Sequence, residues 1–251
     1  VQSRSHAEYT LRLADSALIL GQRLSEWCGH GPVLEEDLAL ANIALDLIGQ
    51  ARLLLSHAAA LEGKGRDEDQ FAFLRNQHEF CNVALVELPN GDFAHTVVRN
   101  LLFSAFQVEL WQALQTSRDA QLQAIAQKCV KEARYHLQHA ADWVVRLGDG
   151  TDASHRRAQD ALDALWRYSA ELFTADEVEA QAAQAGIGPA WDTLEPAWRA
   201  HVLPVLDEAT LQVPAATPFR STGKRGVHTE HLGRLLAEMQ CMQRAYPGMQ
   251  W

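Results

Sequence analysis

The chain is a succession of long segments in which apolar residues return every three or four positions, separated by short clusters of glycine and proline. That spacing lines one face of a helix, and no stretch alternates convincingly with the period of two that a strand requires. The punctuation falls at 29–32, 63–65, 89–91, 148–150, 186–189 and 214–226. Between these points the pattern predicts helices over about 8–28, 34–61, 69–86, 92–116, 120–147, 155–173, 175–185, 193–212 and 229–245. The expected fold class is all-α. Four of the helices are long enough to build a bundle about 30 Å tall. The bundle core is expected over about 8–147, with additional helices over about 155–251, in a single domain spanning 1–251. The second helix is apolar nearly all round, through Leu38, Leu40, Ile43, Leu45, Leu47, Ile48, Leu53, Leu54 and Leu55, and is therefore expected at the centre.

Local chemistry marks several boundaries. Thr174 with Glu177, and Asp192 with Glu195, have the spacing of a reciprocal helix cap. Glu35, Glu36 and Asp37 place negative charge at the positive end of the second helix. Pro204 is expected to kink the eighth helix, and 213–226 reads as an exposed connection. No internal repeat of short period is present, although the early long helices suggest two hairpins.

Composition narrows the function classes. With 22 Lys and Arg against 32 Asp and Glu, the net charge is −10, so no nucleic acid is expected as a partner. Cysteines 28, 81, 129 and 241 lie far apart with no C-x-x-C spacing, which argues against disulfides or a thiolate metal site and for a cytoplasmic protein. The most apolar stretch, 38–61, is interrupted by Asn42, Asp46, Gln50 and Arg52, so a soluble protein with no membrane partner is expected. Neither a glycine-rich phosphate loop nor a nucleophile elbow is found.

The informative residues are acids inside apolar runs: Asp15, Asp46, Glu109 and Glu132, the last on a helix face that also carries His136. A buried, unpaired carboxylate costs several kcal/mol, so each needs a cation, a metal or a proton. Helical register puts Asp15 and Asp46 at similar heights in an antiparallel hairpin. An acid from each of two helices with Glu-x-x-His from two others is the recipe for a carboxylate-bridged di-iron centre. Here the recipe is incomplete: glycine at Gly49 and tyrosine at Tyr135 occupy the positions where imidazoles belong, and His136 follows one residue late. Asp15, Asp46, Glu132 and His136 are thus candidates for a vestigial centre, with no metal or catalytic residue expected in this chain. The competing readings are structural. Asp15 and Asp46 could pair with Arg12, Arg23 or Arg52, His136 could be a satisfied core histidine, and Glu109 an interface residue. Glu132 with His136, with or without His139, could alternatively hold one zinc or iron.

Longer strings carry a resemblance. Leu24-Ser-Glu-Trp-Cys-Gly-His30, Asp37-Leu-Ala-Leu-Ala-Asn-Ile43, Asp46-Leu-Ile-Gly-Gln-Ala-Arg52, Lys131-Glu-Ala-Arg-Tyr-His-Leu137, Gly226-Val-His-Thr-Glu-His-Leu-Gly233 and Leu236-Ala-Glu-Met-Gln240 resemble the PaaC-type structural subunit of the bacterial phenylacetyl-CoA epoxidase, from about Tyr9 to Trp251. The resemblance implies a ferritin-like bundle that pairs with a homologous catalytic subunit, PaaA, which holds a di-iron centre. It implies a multicomponent monooxygenase of aerobic phenylacetate catabolism, fed from NADPH through a reductase with FAD and an iron–sulfur cluster, that epoxidises phenylacetyl-CoA with O2. The chain itself would be the non-catalytic scaffold, in a heterodimer that is expected to be doubled, with an interface of at least about 2,000 Å². The cations Lys224 and Arg225, in a loop expected to be exposed, are candidates for contact with PaaA, the reductase or the phosphates of coenzyme A.

Two further functions stay open at this point. The chain could itself be a metal-dependent oxygenase using Asp15, Asp46, Glu109, Glu132 and His136. It could also be a metal-free ferritin-like protein that binds an acyl-CoA.

Overall fold

The computed structural model describes residues 2–249; Val1, Gln250 and Trp251, at the ends of the expected domain, lie outside them. The chain is all-α, with no strand among the described residues beyond an isolated bridge between Thr222 and Val227. It divides into two compact units, one made of Val1–Pro89 with Ser221–Trp251 and the other of Asn90–Arg220.

The first unit is built on a hairpin of α1 (Gln2–Ser25) and α2 (Leu34–Glu62). Gly21 lets the two helices approach closely, since a Cβ there would sit 3.0 Å from Ile48 and 3.3 Å from the Ala44 carbonyl. The connection is fixed by Asp37, whose Oδ2 accepts from the backbone N–H of Gly29 at 2.8 Å and of Gly31 at 3.0 Å. The acid expected only to balance the helix dipole therefore also shapes the turn. By length and apolarity α2 could cross a membrane, contrary to the expectation from its interrupting polar residues. Much of its length packs into the unit's core instead, as in an interior helix of a soluble fold. It is not enclosed all round, however: Leu34, Leu38 and Leu45 are 71%, 56% and 66% exposed.

The expected single helix over 69–86 is three pieces: α3 (Glu68–Phe73), a 3₁₀ turn (Gln77–Glu79) and α4 (Ala84–Glu87). Asp67 caps α3 through Gln70, and the Asn76 N–H donates to Glu79 at 2.7 Å, restarting the chain in a new direction. The carbonyls released at the end of α3 are not lost: the Gln240 amide donates to those of Ala72 and Arg75, both at 3.0 Å.

The second unit repeats the hairpin plan with α5 (Phe93–Leu114) and α6 (Ala120–Gly148), capped by Asp92 and Asp119. Here α5 takes the enclosed role expected of the second helix, being buried without interruption from Thr96 to Val108. Against the pair lie α7 (Asp152–Trp166) and α10 (Leu194–Glu208), with the short helices α8 (Ser169–Phe173) and α9 (Glu177–Gln184) between them in the chain. The predicted helix over 155–173 breaks between α7 and α8. The cap expected at Thr174 sits two residues on, where Asp176 accepts from Val178 and Glu179 reaches back to Asp176. Thr174 is diverted because its hydroxyl donates to the Ala170 carbonyl at the end of α8. Asp192 lies in a 3₁₀ turn and does not cap, while Glu195 pairs with Arg199 within α10. Pro204 lies inside α10.

The chain then returns to the first unit with α11 (Glu230–Met239) and α12 (Cys241–Ala245), which replace the single helix expected over 229–245.

Two glycines separate close packing from open space. A Cβ on Gly148, the last residue of α6, would lie 2.2 Å from the Ala209 carbonyl oxygen, whereas one on Gly49 in α2 would meet nothing within 4 Å. Gly148→Ala is expected to destabilise by about 1–3 kcal/mol through overpacking. Gly49→Ala is expected to stabilise by about 0.5–1 kcal/mol through helix propensity. Urea denaturation of both variants checks the pair.

Candidate functional site

The first unit contains a buried polar network centred on Asp15, halfway along α1. Asp15 is fully buried, and its carboxylate receives the guanidinium of Arg75 through both oxygens, with Nη1 to Oδ2 at 2.9 Å and a short contact from Nη2 to Oδ1. A third donor, the Cys81 N–H, reaches Oδ2 at 2.8 Å. Two further Arg75 hydrogens are placed as well: Nε donates to the Phe71 carbonyl at 2.6 Å and Nη1 to that of Glu79 at 3.0 Å. The guanidinium lies over the Phe80 ring, 4.2 Å from its centroid. Burial would lower the pKa of Arg75, but the Asp15 charge and hydrogen bonds raise it. This is a planar bidentate pair with two of its three spare donor hydrogens bonded to carbonyls, a geometry in which a buried ion pair is tolerated.

About two turns further along α1, Arg23 donates from Nε and Nη2 to the Glu87 carbonyl at 3.0 and 2.8 Å, and from Nη2 to the His231 carbonyl at 3.1 Å. The Glu87 side chain is buried and receives the Asn82 amide at 2.8 Å and the Thr229 N–H at 2.6 Å. His228 completes the cluster, with Nδ1 at 2.8 Å from Glu87 Oε2 and Nε2 at 2.9 Å from the Phe80 carbonyl. Both ring nitrogens face acceptors, which only the doubly protonated imidazolium satisfies. Burial would depress the His228 pKa, yet the Glu87 hydrogen bond and charge, with the Phe80 carbonyl, raise it.

Arg75, Glu87 and His228 fall outside the candidates that the sequence suggests. Arg75 is hidden by the helical look of 69–86. Glu87, in an apolar run just before Pro89, and His228, in the string 226–233, are signals that the rule for interior acids could have used.

The expected pairings for Asp15 are corrected accordingly. Arg12 pairs with Glu8, Arg23 with Glu26 and Arg52 with Glu68, so none of the three neutralises it. Asp46 is half-buried on α2. In the second unit Glu132 lies 3.3 Å from Lys128 one turn earlier, and Glu109 lies at hydrogen-bond distance, 2.7 Å, from Nε2 of His201 on α10. His136 is buried, whereas Tyr135 beside it is exposed. Within each unit taken by itself, no three His, Cys, Asp or Glu side chains among the described residues converge as metal ligands do. The residues do not fit an iron pair: Asp15 is already engaged by three donors, Gly49 offers no side chain, and Tyr135 is at the surface. Cys81 is no thiolate donor either, since burial and the neighbouring Asp15 push its thiol up to about 12. None of the four cysteines is in a disulfide.

The two cations expected to serve partner contact also separate. Lys224 is only 7% exposed, because the 3₁₀ turn Gly223–Arg225 packs onto the backbone of Asn82 and Ala84 through Gly223, while Arg225 is exposed.

Two comparisons match this chain to known proteins. The profile of a family described as phenylacetic acid catabolic protein matches residues 1–251. The C-type component of the 1,2-phenylacetyl-CoA epoxidase of Escherichia coli (strain K12) is 54% identical over 243 residues, which cover 97% of this chain and 98% of that one.

The network makes two predictions. Asp15→Ala strands the Arg75 charge and is expected to cost about 3–5 kcal/mol, whereas Asp15→Leu with Arg75→Met should recover most of it; denaturation midpoints of the three proteins check this. Because the folded pKa of His228 is raised above the ordinary value of about 6.5, its contribution is fully present below that pH and is lost as pH rises through the folded value. Hydrogen exchange of α11 amides should therefore quicken as pH is raised from about 6 to about 9, after correction for intrinsic rates, and the pH term should vanish in His228→Gln.

Proposed function

The chain belongs to the phenylacetic acid catabolic protein family, and from that premise we propose that it is the non-catalytic structural subunit of a phenylacetyl-CoA epoxidase, scaffolding the di-iron catalytic subunit PaaA. The observation that carries the reading is the closure of Asp15 by Arg75. A catalytic metal must keep a coordination position open for a reactant, whereas a carboxylate held by a guanidinium fork and a backbone N–H has both oxygens already committed. The lack of an imidazole at Gly49 and the exposed Tyr135 support the same reading. On this reading the di-iron centre belongs to PaaA, and NADPH, FAD and iron–sulfur chemistry belong to the reductase of the complex. The single domain expected over 1–251 and a cytoplasmic location are parts of the same proposal.

A scaffold needs a surface to offer. Leu34, Leu38 and Leu45 lie on one side of α2 and are exposed, and Gly49 on the same helix leaves room for a partner side chain. A stripe of large apolar residues left uncovered by its own chain is the expected sign of a protein contact. Arg225 remains a candidate for a polar contact at a different place, and burial removes Lys224 from that role.

The test is co-purification with metal analysis. The chain alone is expected to hold less than stoichiometric iron and to co-elute with PaaA in size exclusion. Leu38→Lys with Leu45→Lys should weaken the complex by at least about tenfold while leaving the unfolding midpoint nearly unchanged. Two irons per chain, or independent elution of the two proteins, overturns the reading.

A further inference from the structure

The second unit carries a cleft of about 280 Å³ whose chemistry the scaffold role does not use. Its floor is aromatic: Trp166 and Trp198 have ring centroids 5.4 Å apart, and Phe173 lies 5.1 Å from Trp198. The indole N–H of Trp198 is spent on the Leu102 carbonyl at 2.8 Å, and the ring is buried, so it backs the floor from behind. Nearby hydroxyls are engaged too: Ser169 donates to the Trp166 carbonyl and Thr174 to that of Ala170.

The rim is cationic. Arg167, Arg199 and Arg220 line the cleft, with Glu195 as its one acid, in a molecule whose net charge is −10. Glu195 is committed to Arg199, accepting from Nε at 3.0 Å and Nη2 at 2.8 Å. Arg167 stacks on the Phe219 ring, 3.8 Å from its centroid, and that ring stands edge-on to Tyr168 at 5.1 Å. Arg220 donates from Nη1 to the carbonyls of Thr217 at 2.8 Å and Phe219 at 2.7 Å. Among the described residues no carboxylate pairs with Arg167 or Arg220. Each guanidinium is therefore oriented by its neighbours, and two of the three keep their charge uncompensated.

Gathering like charges at one cleft is unfavourable unless an anion balances them, and ordering them in advance removes part of the entropic cost of binding one. A guanidinium fork suits the oxygens of a phosphate, and the aromatic floor suits a flat ring attached to it. The volume is close to the lower end of the range for small-molecule clefts, about 300 Å³, which limits the ligand to about one ring system and one phosphate. We propose that this cleft binds a phosphorylated aromatic ligand of the mononucleotide class, with Arg167 and Arg220 on the phosphate and with Phe173 and the edge of Trp166, backed by the buried Trp198, against the ring.

Calorimetric titration of the full chain with adenosine 5′-monophosphate tests the site, with inorganic phosphate and adenosine as separate probes. Saturable binding of the nucleotide is expected below about 1 mM, each half alone binding at least about tenfold more weakly. Arg167→Ala with Arg220→Ala should weaken nucleotide binding by at least about tenfold with little change in the unfolding midpoint. Raising salt from about 0.05 M to about 0.5 M should weaken it as well. The proposal is overturned if no saturation is seen by about 10 mM, if the double variant binds as the parent does, or if phosphate binds as tightly as the nucleotide. Tighter binding of an acidic peptide than of the nucleotide also overturns it. Since the unmixed chain is used, none of these outcomes depends on the assembly with PaaA.

Discussion

The path of the first unit follows from one constraint: the carboxylate of Asp15 is fully buried and has to be compensated. Leaving it ionised and alone would cost several kcal/mol, comparable to a large share of a domain's stability. The chain meets the demand by breaking the helix after Phe73, so that Arg75 can reach α1 and the Cys81 N–H can turn inward. Glu87 extends the same logic to distant sequence. Its carboxylate gathers His228 and Thr229, and Arg23 on α1 binds the carbonyls of both Glu87 and His231. Apolar burial supplies the bulk of the driving force. The polar network decides which segments meet, and it explains why residues from 221 onward rejoin the N-terminal hairpin after the second unit has been built.

This division of labour also accounts for what the sequence made legible. Helical periodicity located the four long helices within a few residues at most ends, because each buries a continuous apolar stripe that local spacing reveals. The same rule failed over 69–86, where Leu74, Val83, Leu85 and Val86 keep the apolar content of a helix while the backbone is committed to side chains more than a hundred residues away. The rule that interior acids need partners pointed correctly to Asp15 but could not find Arg75, since a nonlocal ion pair leaves no periodic trace. Enclosure was misjudged for a related reason. The helices α2 and α5 are both apolar, and only tertiary packing shows that α5 is covered along its middle while α2 leaves leucines uncovered.

A guanidinium and a metal ion solve the same electrostatic problem in different ways. A metal balances an interior carboxylate while remaining exchangeable and open to a further ligand, so it serves chemistry and leaves the surroundings mobile enough to admit reactants. Arg75 balances Asp15 with a covalently tethered charge that has no open position, and its own hydrogens tie together the end of α3, the 3₁₀ turn and α1. Asp15 with Arg75 is therefore a rigid joint. Such a joint gives the bundle a fixed shape, the property that the proposed scaffold role would use. The uncovered stripe on α2 then has a physical rationale: leucines that a self-contained protein would bury or replace can stay at the surface when another chain is there to cover them.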